Sequence, residues 1–162
     1  MCIRDRAAPA FEEIAEIIEF RLNQVVELLN EIEYELNTCT PRELYDYLTG
    51  DNFKDSEITF RDRLGNEYLF LHSIIEISGL KDAGVEINPK TIKSVSKETI
   101  YDAHLKATDY ELGYSLILED YYWLKHRMAQ LEQDIKNDKH MPESLKERAQ
   151  EIYDSFLEYK DY

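Results

Sequence analysis

A long helical pattern of apolar residues near the start of the chain sets the fold class. Between Ile14 and Leu36 the apolar positions follow one another at steps of four, four, three, four, three and four residues. Such steps place the side chains on one stripe of an α-helix, so we predict a helix from Phe11 to about Leu36. The stripe comprises Ile14, Ile18, Leu22, Val25, Leu29, Ile32 and Leu36.

Capping residues and further apolar stripes predict the remaining elements. Thr40, Pro41 and Glu43 have the spacing of a capping box, which predicts a short helix that ends at Gly50. Longer helices are predicted over 67–83, 96–118, 121–135 and 142–156. The segment 57–69 begins less regularly and favours either a short β-hairpin or an ordered loop. We therefore expect an all-α fold, a compact bundle or orthogonal array of five to six helices.

The domain organisation follows from length and from the first residues. A chain of 162 residues fits one domain, which we assign to residues 11–162. The opening residues Met1 to Arg6 resemble the translated sequencing adaptor seen in reading frames assembled from environmental DNA, so residues 1–10 are predicted to be non-native or disordered. Two cysteines, Cys2 and Cys39, cannot form a disulfide framework, which favours a reducing, cytoplasmic location.

The charge balance narrows the classes of partner. Nineteen Lys and Arg residues stand against 34 Asp and Glu residues, and the net charge is −15. Nucleic-acid backbones and anionic membranes attract positive charge, so neither is expected as the main partner. The chain also has no apolar run long enough to span a bilayer. A protein partner or self-association is the expected interaction.

Two polar residues project from the middle of a face that the apolar pattern predicts to be buried. On a helical wheel of residues 96–118, His104 and Glu111 lie two turns apart on one line. An isolated carboxylate in a core is costly, so Glu111 is expected to have a partner. The opposite, solvent-facing side carries Asp102, Lys106, Asp109 and Gly113.

The preceding predicted helix carries a second such pair. His72 and Glu76 lie one turn apart in a helix that is apolar on most other sides. If the two helices pack together, His72, Glu76, His104 and Glu111 form a set that suits one divalent ion such as zinc, iron or manganese. The same set also suits a structural network in which each histidine donates a hydrogen bond to a carboxylate.

One acidic pattern resembles a known enzyme family. Glu12, Glu13 and Glu16, followed by Glu43 and Asp46, resemble the paired acidic motif of the all-α nucleoside triphosphate pyrophosphatases of the MazG type. The resemblance implies magnesium binding by these carboxylates and attack of water on nucleotide phosphates. It rests on five acidic residues, and the three carboxylates of the first helix lie away from its apolar stripe.

Two functions follow as hypotheses. The first is a cytoplasmic interaction or scaffold module, which works through its acidic, tyrosine-bearing surface, with the His and Glu residues serving the core. The alternative is a metal-dependent, hydrolytic enzyme, in which His72, Glu76, His104 and Glu111 hold an ion and a water molecule between two helices. The motifs leave open whether the chain is an enzyme.

Overall fold

The protein folds into an array of helices in which no strand occurs among the described residues. The computed structural model describes residues 8–52 and 58–162. In these ranges no helix is both long and apolar enough to cross a membrane. The helices are α1 (Phe11–Glu31), α2 (Pro41–Thr49), α3 (Phe60–Gly65), α4 (Glu67–Asp82), α5 (Thr91–Ser94), α6 (Lys97–Ile117), α7 (Tyr121–Asn137) and α8 (Glu143–Ser155), followed by a 3-10 turn (Leu157–Tyr159).

Helix α4 lies at the centre, and its long contact with α6 organises the fold. From Tyr68 to Leu80 every residue of α4 except Gly79 is buried. The two helices approach closely at Gly79, where an added β-carbon would lie 3.4 Å from that of Ala103. One core cluster joins α4 and the first half of α6 to α1, α2 and α3, and a second joins α6 to α7 and α8. Core clusters therefore lie on both sides of the α4–α6 contact.

The all-α prediction is confirmed, whereas the helix count and the β-hairpin are corrected. The structure has eight helices in its described ranges rather than five to six, because α3 and α5 are additional short helices. Residues 58–69 contain α3 and the start of α4 where a hairpin was an expected alternative, and residue 57 lies outside the described residues. Thr59 and Asp62 form a capping box that starts α3. This local pairing satisfies backbone groups that a hairpin would have used.

The first helix ends earlier than its apolar stripe. Helix α1 stops at Glu31, and Glu33 adopts a left-handed conformation with φ of 57°. The Tyr34 amide donates to the Leu29 carbonyl and the Glu33 amide donates to the Asn30 carbonyl. These two hydrogen bonds form a Schellman motif, which closes the helix before Leu36.

The thiol of Cys39 is predicted to be unreactive in the folded protein. Cys39 is buried, and burial, followed by the nearby Glu43 charge, raises the pKa of its thiol to about 12. Because the thiolate is the reactive form, alkylation by iodoacetamide at pH 8 should be roughly a thousandfold slower in the folded than in the unfolded chain. Mass spectrometry of a Cys2→Ser variant measures this rate. Equal rates in buffer and in urea would contradict the prediction.

Candidate metal centre

Helices α4 and α6 bring the four His and Glu residues of the sequence prediction into one cluster. His72 and Glu76 occupy successive turns of α4, and each is less than 10% exposed. Glu111 on α6 is fully enclosed, which confirms that it is buried, whereas the His104 side chain is 32% exposed. His104 therefore lies at the open side of the cluster and Glu111 at its closed side.

Glu111 is saturated by hydrogen bonds from three side chains. Its Oε1 faces Nδ1 of His72 at 2.9 Å and accepts from Nη2 of Arg127 at 3.0 Å. Its Oε2 accepts from Nε of Arg127 at 2.6 Å and from the Trp123 indole at 2.8 Å. Burial alone would raise the pKa of Glu111, but the bond from His72 and the charge of Arg127 outweigh burial and lower this pKa to about 2. Glu111 is therefore ionised at neutral pH.

The ionised Glu111 determines the tautomer of His72. A carboxylate only accepts hydrogen bonds, so Nδ1 of His72 carries the proton that faces it. Burial lowers the pKa of His72, against the opposing effect of Glu111, and this favours the neutral ring. The lone pair of His72 then lies on Nε2, which faces Nδ1 of His104 at 3.1 Å. Histidines that bind metal ions usually donate their other ring N–H group to a carboxylate in this way.

Possible metal-ligand atoms of His72, Glu76 and His104 lie close together. The Nε2 atom of His72 lies 3.6 Å from one Glu76 oxygen, and Nδ1 of His104 lies 3.5 Å from the other. Ligand atoms of His72, Glu76 and His104 all lie within 4.8 Å of one another, and this is the only such group found among the described residues. These contacts are longer than most hydrogen bonds, and Tyr47 also forms a hydrogen bond with this buried carboxylate.

The separations of these atoms suit a metal ion. Ligands at 2.0–2.1 Å from a tetrahedral zinc ion are separated from one another by about 3.3 Å. The nitrogens of His72 and His104 lie 3.1 Å apart, close to that value, and they lie 3.6 and 3.5 Å from different oxygens of Glu76. With one ligand atom from each residue, all separations are within 4.8 Å. Burial would raise the pKa of Glu76, but the two histidines and Arg63 lower it, so Glu76 is available as a carboxylate ligand.

The cluster opens into a cavity of about 180 Å³. His72, Glu76 and His104 form part of its wall, so an ion bound by them would face open space on one side. Three protein ligands and one open position are typical of catalytic rather than structural zinc sites. The remaining wall is formed by Tyr47, Leu48, Gly50, Asp51, Asn52, Ile58, Arg63, Leu69, Ile92, Ile100, Tyr101, Thr108, Arg127, Gln130, Leu131, Asp134 and Asp138.

Several residues that the sequence analysis did not single out complete the site. Arg127 and Trp123 hold Glu111, and Tyr47 and Arg63 lie beside Glu76. The sequence of α7 contained a signal for the wall that this helix contributes to the site. Four polar or aromatic positions follow one another at steps of four, three and four, beside the apolar stripe of the helix. These positions are Trp123, Arg127, Gln130 and Asp134.

The carboxylates of the MazG-like pattern do not form part of this cluster. Glu12, Glu13 and Glu16 are exposed on α1. Glu43 accepts from its own helix start and from Lys81, and Asp46 accepts from Arg42. Glu43 thus caps α2 and pairs with Lys81, and Asp46 pairs with Arg42.

Comparison of the chain with protein-family models, with curated proteins and with solved structures finds no match. Its function is therefore inferred from the geometry of the site.

Proposed function

We propose that the protein is a metal-dependent hydrolase whose single divalent ion, zinc, iron or manganese, is bound by His72, Glu76 and His104. The observation that supports this proposal is the convergence of these three donors on a cavity, with the opposite nitrogen of His72 fixed by Glu111. Glu111 itself acts behind His72, because both of its oxygens already accept hydrogen bonds. The ligand set thus has three members, and the fourth position is left for water.

The chemistry would depend on a divalent ion held by His72, Glu76 and His104. Such an ion would act as a Lewis acid and would supply a bound water of lowered pKa as the nucleophile for hydrolysis. Glu111 would keep the lone pair of His72 directed at the ion.

Removing His104 should abolish metal binding while the fold remains. We expect the untagged wild type, supplied with Zn²⁺, Mn²⁺ or Fe²⁺ and desalted, to retain about one equivalent of one of these ions. His104→Ala should bind that ion more than about 100-fold more weakly, since it loses a direct ligand. Elemental analysis measures the content, and hydrolysis of p-nitrophenyl acetate and p-nitrophenyl phosphate measures the activity.

The matched control is His126→Ala. His126 is exposed on α7 and does not line the cavity, so its replacement should leave metal content and hydrolysis unchanged. The proposal is wrong if the wild type retains no ion, or if His104→Ala retains as much ion as His126→Ala. Circular dichroism of both variants checks that the helices are intact.

An interaction module is the second candidate. Ile117, Leu118 and Tyr122 are exposed at the turn between α6 and α7, and Tyr122 is 84% accessible. Large exposed apolar side chains that lie together favour a protein-binding surface. A cytoplasmic interaction or scaffold role, with a protein partner or a second copy, remains a prediction. A wild-type protein that binds no metal in the experiment above would favour this role.

A further inference from the structure

The wall of the cavity contains an arginine that the metal site does not use. Arg63 is half-buried on α3 and lines the cavity together with the three proposed metal ligands. Burial raises the pKa of Tyr47, and the positive charge of Arg63 opposes this effect and also helps to lower the pKa of Glu76, so Arg63 acts on the same side of the cavity as the metal site. Within 8–52 and 58–162, no carboxylate forms an ion pair with Arg63.

The second arginine of the wall differs from Arg63. Arg127 uses Nε and Nη2 to hold Glu111, and its Nη1 donates to Gln130 at 2.7 Å. Its charge is compensated by Glu111, and each of its three nitrogens donates a hydrogen bond. Among the residues that the structure describes, Arg63 is therefore the cavity arginine whose guanidinium forms no ion pair with a carboxylate.

Acidic residues also line the cavity. They are Asp51, which follows α2, Asp134 on α7 and Asp138, whose carboxylate accepts from the Tyr101 hydroxyl at 2.7 Å. An anionic group is attracted instead to the positive charges of Arg63 and of the proposed metal ion.

We propose that the substrate carries an oxyanion, a phosphate or a carboxylate, which binds between the metal ion and Arg63. This inference rests on the proposed metal-dependent function. A guanidinium group presents several N–H donors in one plane, and this geometry matches the oxygens of phosphate and carboxylate groups. Oxygens of this group would accept hydrogen bonds from Arg63 close to the ion, whose open position is left for water. These contacts would stabilise negative charge that develops in the reaction.

The test measures anion binding to the metal-loaded protein and to two arginine variants. Inorganic phosphate and acetate are titrated separately by calorimetry into the wild type, Arg63→Met and Arg61→Met. Arg61 is the control because it lies on the same helix, is exposed and does not line the cavity. We expect at least about tenfold weaker binding of the preferred anion to Arg63→Met, through loss of a charge-assisted hydrogen bond, and no change in Arg61→Met.

Metal content, measured on the same samples, separates the two proposals. Equal anion affinity of Arg63→Met and Arg61→Met at full metal content would overturn the oxyanion inference and leave the metal site intact. Absence of metal from the wild type would overturn both. Tighter binding of phosphate than of acetate would support a phosphate-bearing substrate, and the reverse order would support a carboxylate. Lack of binding of either anion to the loaded wild type would overturn the inference.

Discussion

Replacing Glu111 by glutamine should lower the free energy of unfolding by about 3–5 kcal/mol, because the change leaves a buried arginine without its counter-ion. The Arg127 side chain is only 10% exposed, and two of its nitrogens donate to Glu111. An amide at position 111 removes the charge and turns an N–H group toward Arg127, His72 or the Trp123 indole. Urea denaturation followed by circular dichroism measures the loss.

A double variant distinguishes the loss of an ion pair from a general packing defect. Glu111→Gln combined with Arg127→Met removes both charges, so it should recover about 1–3 kcal/mol relative to Glu111→Gln alone. The exposed pair of Asp102 and Arg148 provides the control, and Asp102→Asn should cost less than about 1 kcal/mol. Equal costs for Glu111→Gln and Asp102→Asn would contradict the assigned role of Glu111.

Binding of the proposed ion should stabilise the protein by about 4 kcal/mol when the free ion is present at about a thousand times its dissociation constant. The site exists only in the folded chain, where α4 and α6 bring His72 and Glu76 to His104. For a domain of this size, such a gain raises the melting temperature by about 8–16 °C. Differential scanning calorimetry with and without Zn²⁺ measures the shift, and an excess of chelator should reverse it.

The control for this shift is the His104→Ala variant under the same conditions. Its shift with Zn²⁺ should fall to about a third of the wild-type shift or less, because binding about 100-fold weaker leaves the ion at no more than about ten times the dissociation constant of the variant. Calcium should also have little effect on the wild type, since it prefers oxygen ligands to imidazole nitrogen. A wild type whose melting temperature does not change with Zn²⁺, Mn²⁺ or Fe²⁺ would contradict the proposed site.

The members of the site differ in how far they could be predicted. The periodicity of α6 showed that Glu111 belongs to a buried face, and burial of a carboxylate demands a partner. The sequence could not show which partner, because the partner Arg127 is 16 residues away and comes from a different helix. Glu111 faces Nδ1 of His72, whereas Glu76 lies near Nε2. Which carboxylate faces which nitrogen likewise depends on how α4 and α6 are rotated against each other. That rotation is set by packing.

Local signals determined the all-α class and most helix boundaries, because periodicity and caps act within a few residues. Gly84 directly follows the predicted helix over 67–83, and in the structure it is a left-handed residue with φ of 82°. Glu33 and Glu119 take the same conformation after α1 and α6, although no glycine marks either position. Their strain is offset by hydrogen bonds to preceding carbonyls and by the packing that follows.

The sequence by itself thus determined a helical chain with two His and Glu pairs on faces that are buried. Only the tertiary structure decided that these pairs meet, that Glu111 is saturated by Arg127 and Trp123, and that His104 opens onto a cavity with Arg63 in its wall. The physical reason is that helix formation depends on neighbours in the chain, whereas convergence of side chains depends on contacts between distant helices.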